Sequence, residues 1–211
     1  MNPDDILPLF ATADGAYRFA RWRRPIAPVV FGVSDETLAL VKGAIEAVAR
    51  LAGHDLAETD PEQGANLMIF FFRDWRELLA VPGLSHLVPG LSDMVARLEA
   101  EGAGQYRHFR FEADGAIRAC FAFLRIDGAL AEMAAGDLAL MLAVQVILLW
   151  SEGAFRGGAP LARAGGVAVL RPEMAALIRA AYHPALPVAA RDASHALRLA
   201  ARVAQMETGG H

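Results

Sequence analysis

The spacing of hydrophobic residues predicts alternating strands and helices in the first half of the chain. Residues 26–33 form a short apolar and β-branched run that includes a proline, which is typical of a strand near a sheet edge. The next segment has apolar residues at helical spacing, with Ser34 or Asp35 as its N-cap and Gly53 at its end. The run Leu67–Phe72 is apolar throughout, which predicts a strand that is buried on both faces.

A β-hairpin is the clearest prediction in the middle of the chain. Residues 106–111 lead into Asp114 and Gly115, and residues 117–126 lead out. Asp-Gly is expected to supply the positive φ angles of a tight turn. This antiparallel pair makes the sheet mixed or antiparallel. We therefore expect an α+β fold, a single domain with helices packed on the sheet.

The second half of the chain is predicted to be mostly helical. An apolar helix is expected over Asp137–Trp150 with Asp137 as its cap, and its run from Leu138 is too short for a membrane span, which needs about 20 residues. The glycines within 153–166 predict a flexible connection. Two further helices are expected over 172–182 and 189–206. The inward face of the last helix is expected to carry Leu197, Leu199 and Val203.

Length and composition limit the architecture and the partners. The chain has 211 residues, of which 55% are hydrophobic, so it has enough apolar side chains to form a core. We expect an N-terminal extension over 1–21, one domain over 22–206 and a tail over 207–211. The net charge of −4 argues against nucleic acid as a partner. The expected partner is a protein or a small ligand of unknown identity.

The expected location depends on whether Met1 is the native start. The first residues are acidic and lack the basic start and the apolar stretch of a secretory signal. If Met1 is the native start, we expect a cytoplasmic protein. If a signal peptide was removed, the protein is exported.

One basic cluster departs from the acidic balance of the chain. Its arginines alternate with aromatic residues, which favours an edge segment whose long basic side chains cover apolar surface. A site for an anionic ligand is the alternative interpretation. The cluster comprises Arg18, Arg21, Arg23 and Arg24.

The usual catalytic and metal-binding motifs do not occur in the sequence. Cys120 is the single cysteine, so an internal disulfide and a cysteine zinc cluster are excluded, and we expect a buried, inert thiol. No histidine pair has zinc-protease spacing, no serine stands in a nucleophile elbow, and the Gly-Gly pairs lack a phosphate-loop lysine. We therefore expect no cofactor and no metal. The remaining polar candidates are His183, His195, Asp192 and His108.

Several segments together resemble a known family. They are the stretch ANLMIFFF at 65–72, the second hairpin strand, the apolar helix and LRPEMAALIRAAYHPAL at 170–186. In this order they are similar to a bacterial family, domain of unknown function 2927, over residues 22–203. This resemblance implies a zincin-like fold.

The resemblance also implies that a metallopeptidase site has degenerated. Members of the family carry Glu-Glu-x-x-Gln on the corresponding helix, where a true zincin has its zinc ligands. Gln145 matches the final glutamine, whereas Met141 and Leu142 occupy the acidic positions. One neutral amide is inadequate for zinc. We therefore expect Gln145 to be a polar remnant and Met141 and Leu142 to be buried.

Two functional hypotheses follow from these observations. The first is a non-catalytic domain with a binding or structural role, and the absence of catalytic motifs favours it. The alternative is a hydrolase whose site is assembled from the dispersed candidates, namely His183, His195, Asp192 and His108. It rests on analogy of fold alone, and one fold supports many functions.

Overall fold

The computed structural model describes residues 1–155 and 159–208. Its strands are β1 (Phe19–Ala20), β2 (Pro28–Phe31), β3 (Leu67–Phe72), β4 (Gln105–Phe111), β5 (Ile117–Arg125), β6 (Leu161–Ala164), β7 (Val167–Leu170) and β8 (Ala189–Ala190). Its helices are α1 (Pro3–Phe10), α2 (Asp35–Ala52), α3 (Leu84–Leu87), α4 (Leu91–Ala100), α5 (Gly128–Ala131), α6 (Ala135–Ile147), α7 (Pro172–Ala181) and α8 (Ser194–Thr208), and a 3₁₀ helix covers Trp75–Ala80.

The main sheet has four strands in the order β2-β3-β5-β4. β2, β3 and β5 are parallel, and β4 is antiparallel to β5. The mixed sheet and the α+β class are thus confirmed, and β2 lies at one edge, as its proline predicted. β4 forms the other edge.

Helices cover both faces of this sheet because side chains alternate along each strand. On one face, Cys120, Ala122 and Leu124 of β5 join the core that includes α1, α2, α6, α7 and α8. On the other face, Phe121 and Phe123 join a smaller core formed with α4, α3 and the 3₁₀ helix. β3 is therefore covered on both faces, as its continuous apolar run predicted.

The ends of α2 agree with the residues that predicted them. Ser34 is the N-cap, and its hydroxyl accepts a hydrogen bond from the Thr37 amide. Gly53 ends the helix in the left-handed conformation with φ 66°. Gly32, between β2 and α2, has φ 80°, and a side chain there would collide with the Phe71 carbonyl. Glycine is thus required for this turn.

The β4–β5 hairpin is confirmed, but its turn differs from the expected one. The Glu112 amide donates to the Ala116 carbonyl and the Gly115 amide to the Glu112 carbonyl, which leaves a three-residue loop. Only Gly115 has a positive φ, of 87°, and Asp114 does not. The Asp114 carboxylate instead accepts a hydrogen bond from the Ala116 amide. One left-handed residue suffices in a three-residue hairpin loop.

The boundaries predicted for the apolar helix are wrong at both ends. α6 begins at Ala135 with Ala134 as N-cap, and Asp137 lies in its first turn, where it pairs with Arg163 at 2.6 Å. The helix ends at Ile147 because Leu148 is extended and bridges to Arg21. Side chains satisfy the last carbonyls: the indoles of Trp22 and Trp150 donate to Val146 and Val144, and the Tyr182 hydroxyl donates to Ile147.

The segment expected to be a flexible connection contains a second hairpin. β6 and β7 pair antiparallel, and Gly165 and Gly166, with φ 58° and 84°, form the turn between them. Two consecutive positive φ angles match a tight hairpin turn. The predicted Gly-Gly pair at 157–158 lies outside the described residues.

The final predicted helix is divided into a short strand and a helix. Residues 189–190 form β8, which pairs with β1, and α8 begins only at Ser194. Leu199 and Val203 are buried as expected, but Leu197 is 58% exposed, and His195 lies inward instead. The helix begins at Ser194 and not at Ala189 as predicted. The Asp192 carboxylate accepts a hydrogen bond from the Ser194 amide just before the first turn.

The first 21 residues, expected to be an extension, pack into the main core. Ile6 and Phe10 of α1 and Phe19 of β1 are buried. The Phe10 ring stacks on Trp150 at a centroid distance of 5.3 Å. Within the described part of the chain, no helix is both long and apolar enough to cross a membrane.

Candidate functional site

Two of the predicted polar candidates, His183 and Asp192, lie in the segment between α7 and α8. His183 is partly buried and accepts a hydrogen bond from the Ala185 amide at 3.1 Å. Asp192 is exposed and accepts one from the Ser194 amide at 2.7 Å. This hydrogen bond lowers the pKa of Asp192. Both side chains thus bond to local backbone, as turn and cap residues do.

His195 is fully buried in the main core. Its Nδ1 lies 2.8 Å from the Tyr17 hydroxyl, and its ring packs on Phe19 at 4.3 Å. Its Nε2 is buried without a hydrogen-bond partner among the described residues. Burial, and then the nearby Arg198, lower the pKa of His195 to about 4. The ring is therefore neutral at pH 7.

His108 lies on the other side of the main sheet. Its β4 position opposes Phe121, which belongs to the smaller core. Burial, and then Arg110, lower the pKa of His108. Among the described residues, no side-chain hydrogen bond or ion pair joins any two of the four predicted candidates; the His195 backbone amide donates to the Asp192 backbone carbonyl at 3.0 Å. Residues 1–155 and 159–208 contain no group of three histidine, cysteine or acidic residues that could hold a metal ion.

Gln145, the predicted polar remnant, is 4% exposed on α6. Its Oε1 is buried and has no hydrogen-bond partner in the described structure. Leu142 is buried as expected, whereas Met141 is only partly buried. Cys120 is buried on β5 as expected, and burial raises the pKa of its thiol to about 12, which disfavours the reactive thiolate.

A polar network around Asn66 was not predicted. The Asn66 amide donates to the Pro25 carbonyl at 2.9 Å and to Asp60 at 3.1 Å, and its oxygen accepts from the Ala27 amide at 2.8 Å. Arg24 lies 3.7 Å from Asp60 and also pairs with Glu62. Arg24 is thus held by ion pairs, whereas we expected a long basic side chain that covers apolar surface. The network fixes the start of β3 against the chain before β2.

A concave groove of about 740 Å³ lies along β4, and we call it the β4 groove. Its walls are the turn at residues 12–18, the segment 149–152 and the end of α4. Backbone hydrogen bonds fix two of these walls: Thr12 bonds to Ala16, and Ser151 bonds to Leu9. The β4 groove is therefore formed in the free protein.

One edge of β4 carries unpaired backbone groups that line the β4 groove. The Arg125 amide donates to Gly104, so the antiparallel alternation directs Tyr106 and His108 toward β5. The backbone N–H and C=O groups of Gln105, Arg107 and Phe109 then point away from β5. No hydrogen bond from another described segment reaches these groups. β4 thus presents the backbone pattern that an additional strand would pair with.

Arginines and aromatic rings alternate around the β4 groove. Arg18 lies over the Phe111 ring at 4.5 Å. Arg97 lies over Tyr106 at 5.3 Å and pairs with Glu101 at 3.1 Å. Arg107 is partly buried and lines the groove between them. Basic and aromatic residues alternate in the sequence from Gln105 to Phe111, and this pattern could have indicated a binding groove. From the sequence alone we predict only a hairpin strand there.

Comparisons with known proteins give no family or relative. No protein-family model matches the chain, and no curated protein and no solved structure is significantly similar to it.

Proposed function

We propose that this chain is a non-catalytic binding domain that holds an extended polypeptide segment in the β4 groove. The observation that carries the proposal is the free edge of β4 at the floor of a preformed groove. A bound segment would add to the main sheet as a further strand next to β4. Main-chain hydrogen bonds supply affinity in this mode of recognition, and alternate side chains supply specificity.

The walls of the β4 groove support binding of a chain with side chains on both sides. Phe109 and Phe111 lie on the side of the main core, while Tyr106 lies on the side of the smaller core. A strand placed beside β4 would direct alternate side chains toward these two sides. Aromatic residues provide contact area at a low cost in conformational entropy.

We further propose a zincin-like fold in which α6 occupies the place of the active-site helix. Sequence resemblance supports this assignment, with Gln145 as the remaining polar residue. Gln145 is buried among apolar neighbours on α6, and Leu142 is in the core. These side chains of α6 pack in the core and offer no catalytic group, which favours a binding domain over a hydrolase. The hydrolase alternative would require His108 and His195 to act from different cores.

The test uses a phage-displayed library of random peptides as long as the seven-residue strand β4. Selected peptides are synthesised, and amide hydrogen exchange of the protein is measured with and without them. We expect the amides of Gln105, Arg107 and Phe109 to gain protection in the complex. The amides of Tyr106 and His108, which face β5, are an internal control and are expected to be protected in both states.

A variant pair tests the same prediction by affinity. Gln105→Pro removes one free amide without removing a β4–β5 hydrogen bond, because this amide points away from β5. We expect it to weaken peptide binding about tenfold, whereas Gln105→Ala leaves binding nearly unchanged. If the library yields no binder, or if bound peptides leave the three outward amides unprotected, strand addition at β4 is wrong.

A further inference from the structure

Arg107 differs from the other arginines of the β4 groove in lacking a partner. Among the described residues, no carboxylate lies within ion-pair distance of its guanidinium and no hydrogen bond reaches it, although the side chain is partly buried. Arg97, in contrast, is paired with Glu101, and Arg18 is exposed and lies over Phe111. A cation that is partly removed from water without a partner is unfavourable. A bound anionic group would remove this cost.

The acidic residues of the β4 groove leave Arg107 available. Asp14 accepts a hydrogen bond from the Thr12 hydroxyl, and Glu101 pairs with Arg97. Glu152 is exposed and forms no ion pair in the described structure. Burial lowers the pKa of Arg107, and the negative charge of Glu152 opposes this shift only in part. The guanidinium stays charged, since an arginine remains protonated in proteins.

Building on the proposed strand addition, we propose that Arg107 selects an aspartate or glutamate side chain in the bound segment. In an added strand, the residue opposite Arg107 has its Cβ about 5 Å away and its side chain on the same face of the sheet. Phe109 is the next residue of β4 on that face. The residue two positions from the acidic one therefore faces Phe109 and is expected to be apolar. The ligand class is thus an extended segment with an acidic and an apolar residue in alternate positions.

Selection with the random library on three proteins tests this specificity. The proteins are the wild type, Arg107→Gln and the matched control Arg97→Gln, which removes a paired arginine from the same groove. We expect peptides from the wild type and from Arg97→Gln to share an acidic residue two positions from an apolar one. We expect peptides selected on Arg107→Gln to lack the acidic preference. In phage display the peptide C-terminus is fused, so only a side chain can supply the carboxylate.

Affinities of one selected peptide and its Glu→Gln or Asp→Asn analogue quantify the effect. A charge-assisted hydrogen bond predicts at least about tenfold weaker binding of the amide analogue to the wild type. The two peptides should bind Arg107→Gln equally, and Arg107→Lys should keep part of the preference because it keeps the charge. The affinity of the amide analogue for Arg107→Gln, compared with the wild type, shows whether the variant is still folded at the groove.

The possible failures separate the two proposals. If peptides bind and protect the outward β4 amides but show no acidic preference, the role of Arg107 is wrong and strand addition stands. The role of Arg107 is also wrong if Arg97→Gln loses the preference to the same extent, since the total charge of the groove would then explain it. If no peptide protects these amides, strand addition fails, and the selectivity proposed for Arg107 fails with it.

Discussion

The Asn66 network and the β4 groove both combine arginines with acidic groups, but they differ in how their polar groups are paired. Each polar atom of the Asn66 side chain has a partner, and Asp60 accepts two backbone amides besides. Along the groove, Arg107 and the outward backbone groups of β4 have none among the described residues. Buried polar groups with a structural role are normally satisfied within the protein. The unpaired groups of the groove are those that a ligand can satisfy.

The largest expected effect concerns the paired region. Asn66→Ala leaves the Ala27 amide and the Pro25 carbonyl without their buried partners. We expect the free energy of unfolding to fall by about 3 kcal/mol, measured by urea denaturation. Gln105→Ala, in the groove, is the matched control, and its effect is expected to stay within about 0.5 kcal/mol. Equal losses in the two variants would show that the network contributes no more to stability than the groove does.

His195 is buried, and its Nε2 has no hydrogen-bond partner among the described residues. Its contribution to the free energy of unfolding depends on pH. Its pKa in the folded protein is about 4, below the ordinary value of 6.5. Between these values the unfolded chain binds more protons, so stability is complete above about pH 6.5 and is lost as the pH falls toward 4. From about pH 7.5 to about pH 5, we expect His195 to account for a loss of about 2 kcal/mol.

His195→Gln separates this contribution from that of other titrating groups. The variant is expected to be less stable at neutral pH but to lose less stability on acidification than the wild type. Urea denaturation of both proteins at the two pH values gives the difference. Parallel losses would mean that another group, such as His54, whose pKa is also lowered by burial, causes the acid sensitivity.

Much of the fold could be predicted because local signals determine it. Helix α2 has its own cap and its own terminating glycine, and β3 is a continuous apolar run. The end of α6 could not be predicted, since it depends on donors distant in sequence, such as Trp22 and Tyr182. β8 was likewise missed because a two-residue strand exists only through its pairing with β1.

The candidate site was less predictable than the fold. His183 and Asp192 were candidate site residues in the sequence, but their side chains accept hydrogen bonds from nearby backbone amides. The β4 groove is formed by segments far apart in the chain, which include residues 12–18 and 149–152. Whether β4 is an edge strand is a property of strand order, and no pattern within residues 105–111 specifies that order.

The smallest expected effect is at Gln145, whose buried Oε1 has no partner among the described residues and which does not line the β4 groove. Its Oε1 is buried without a partner in the described structure, so replacing the amide with an apolar group of similar size removes a desolvation cost. We expect Gln145→Leu to change the free energy of unfolding by no more than about 1 kcal/mol, with a gain favoured. Leu142→Ala on the same helix is the control and should cost about 3 kcal/mol by leaving a cavity. If Gln145→Leu is as destabilising as Asn66→Ala, the Gln145 amide is paired in solution, and α6 has kept a polar function that its apolar neighbours conceal.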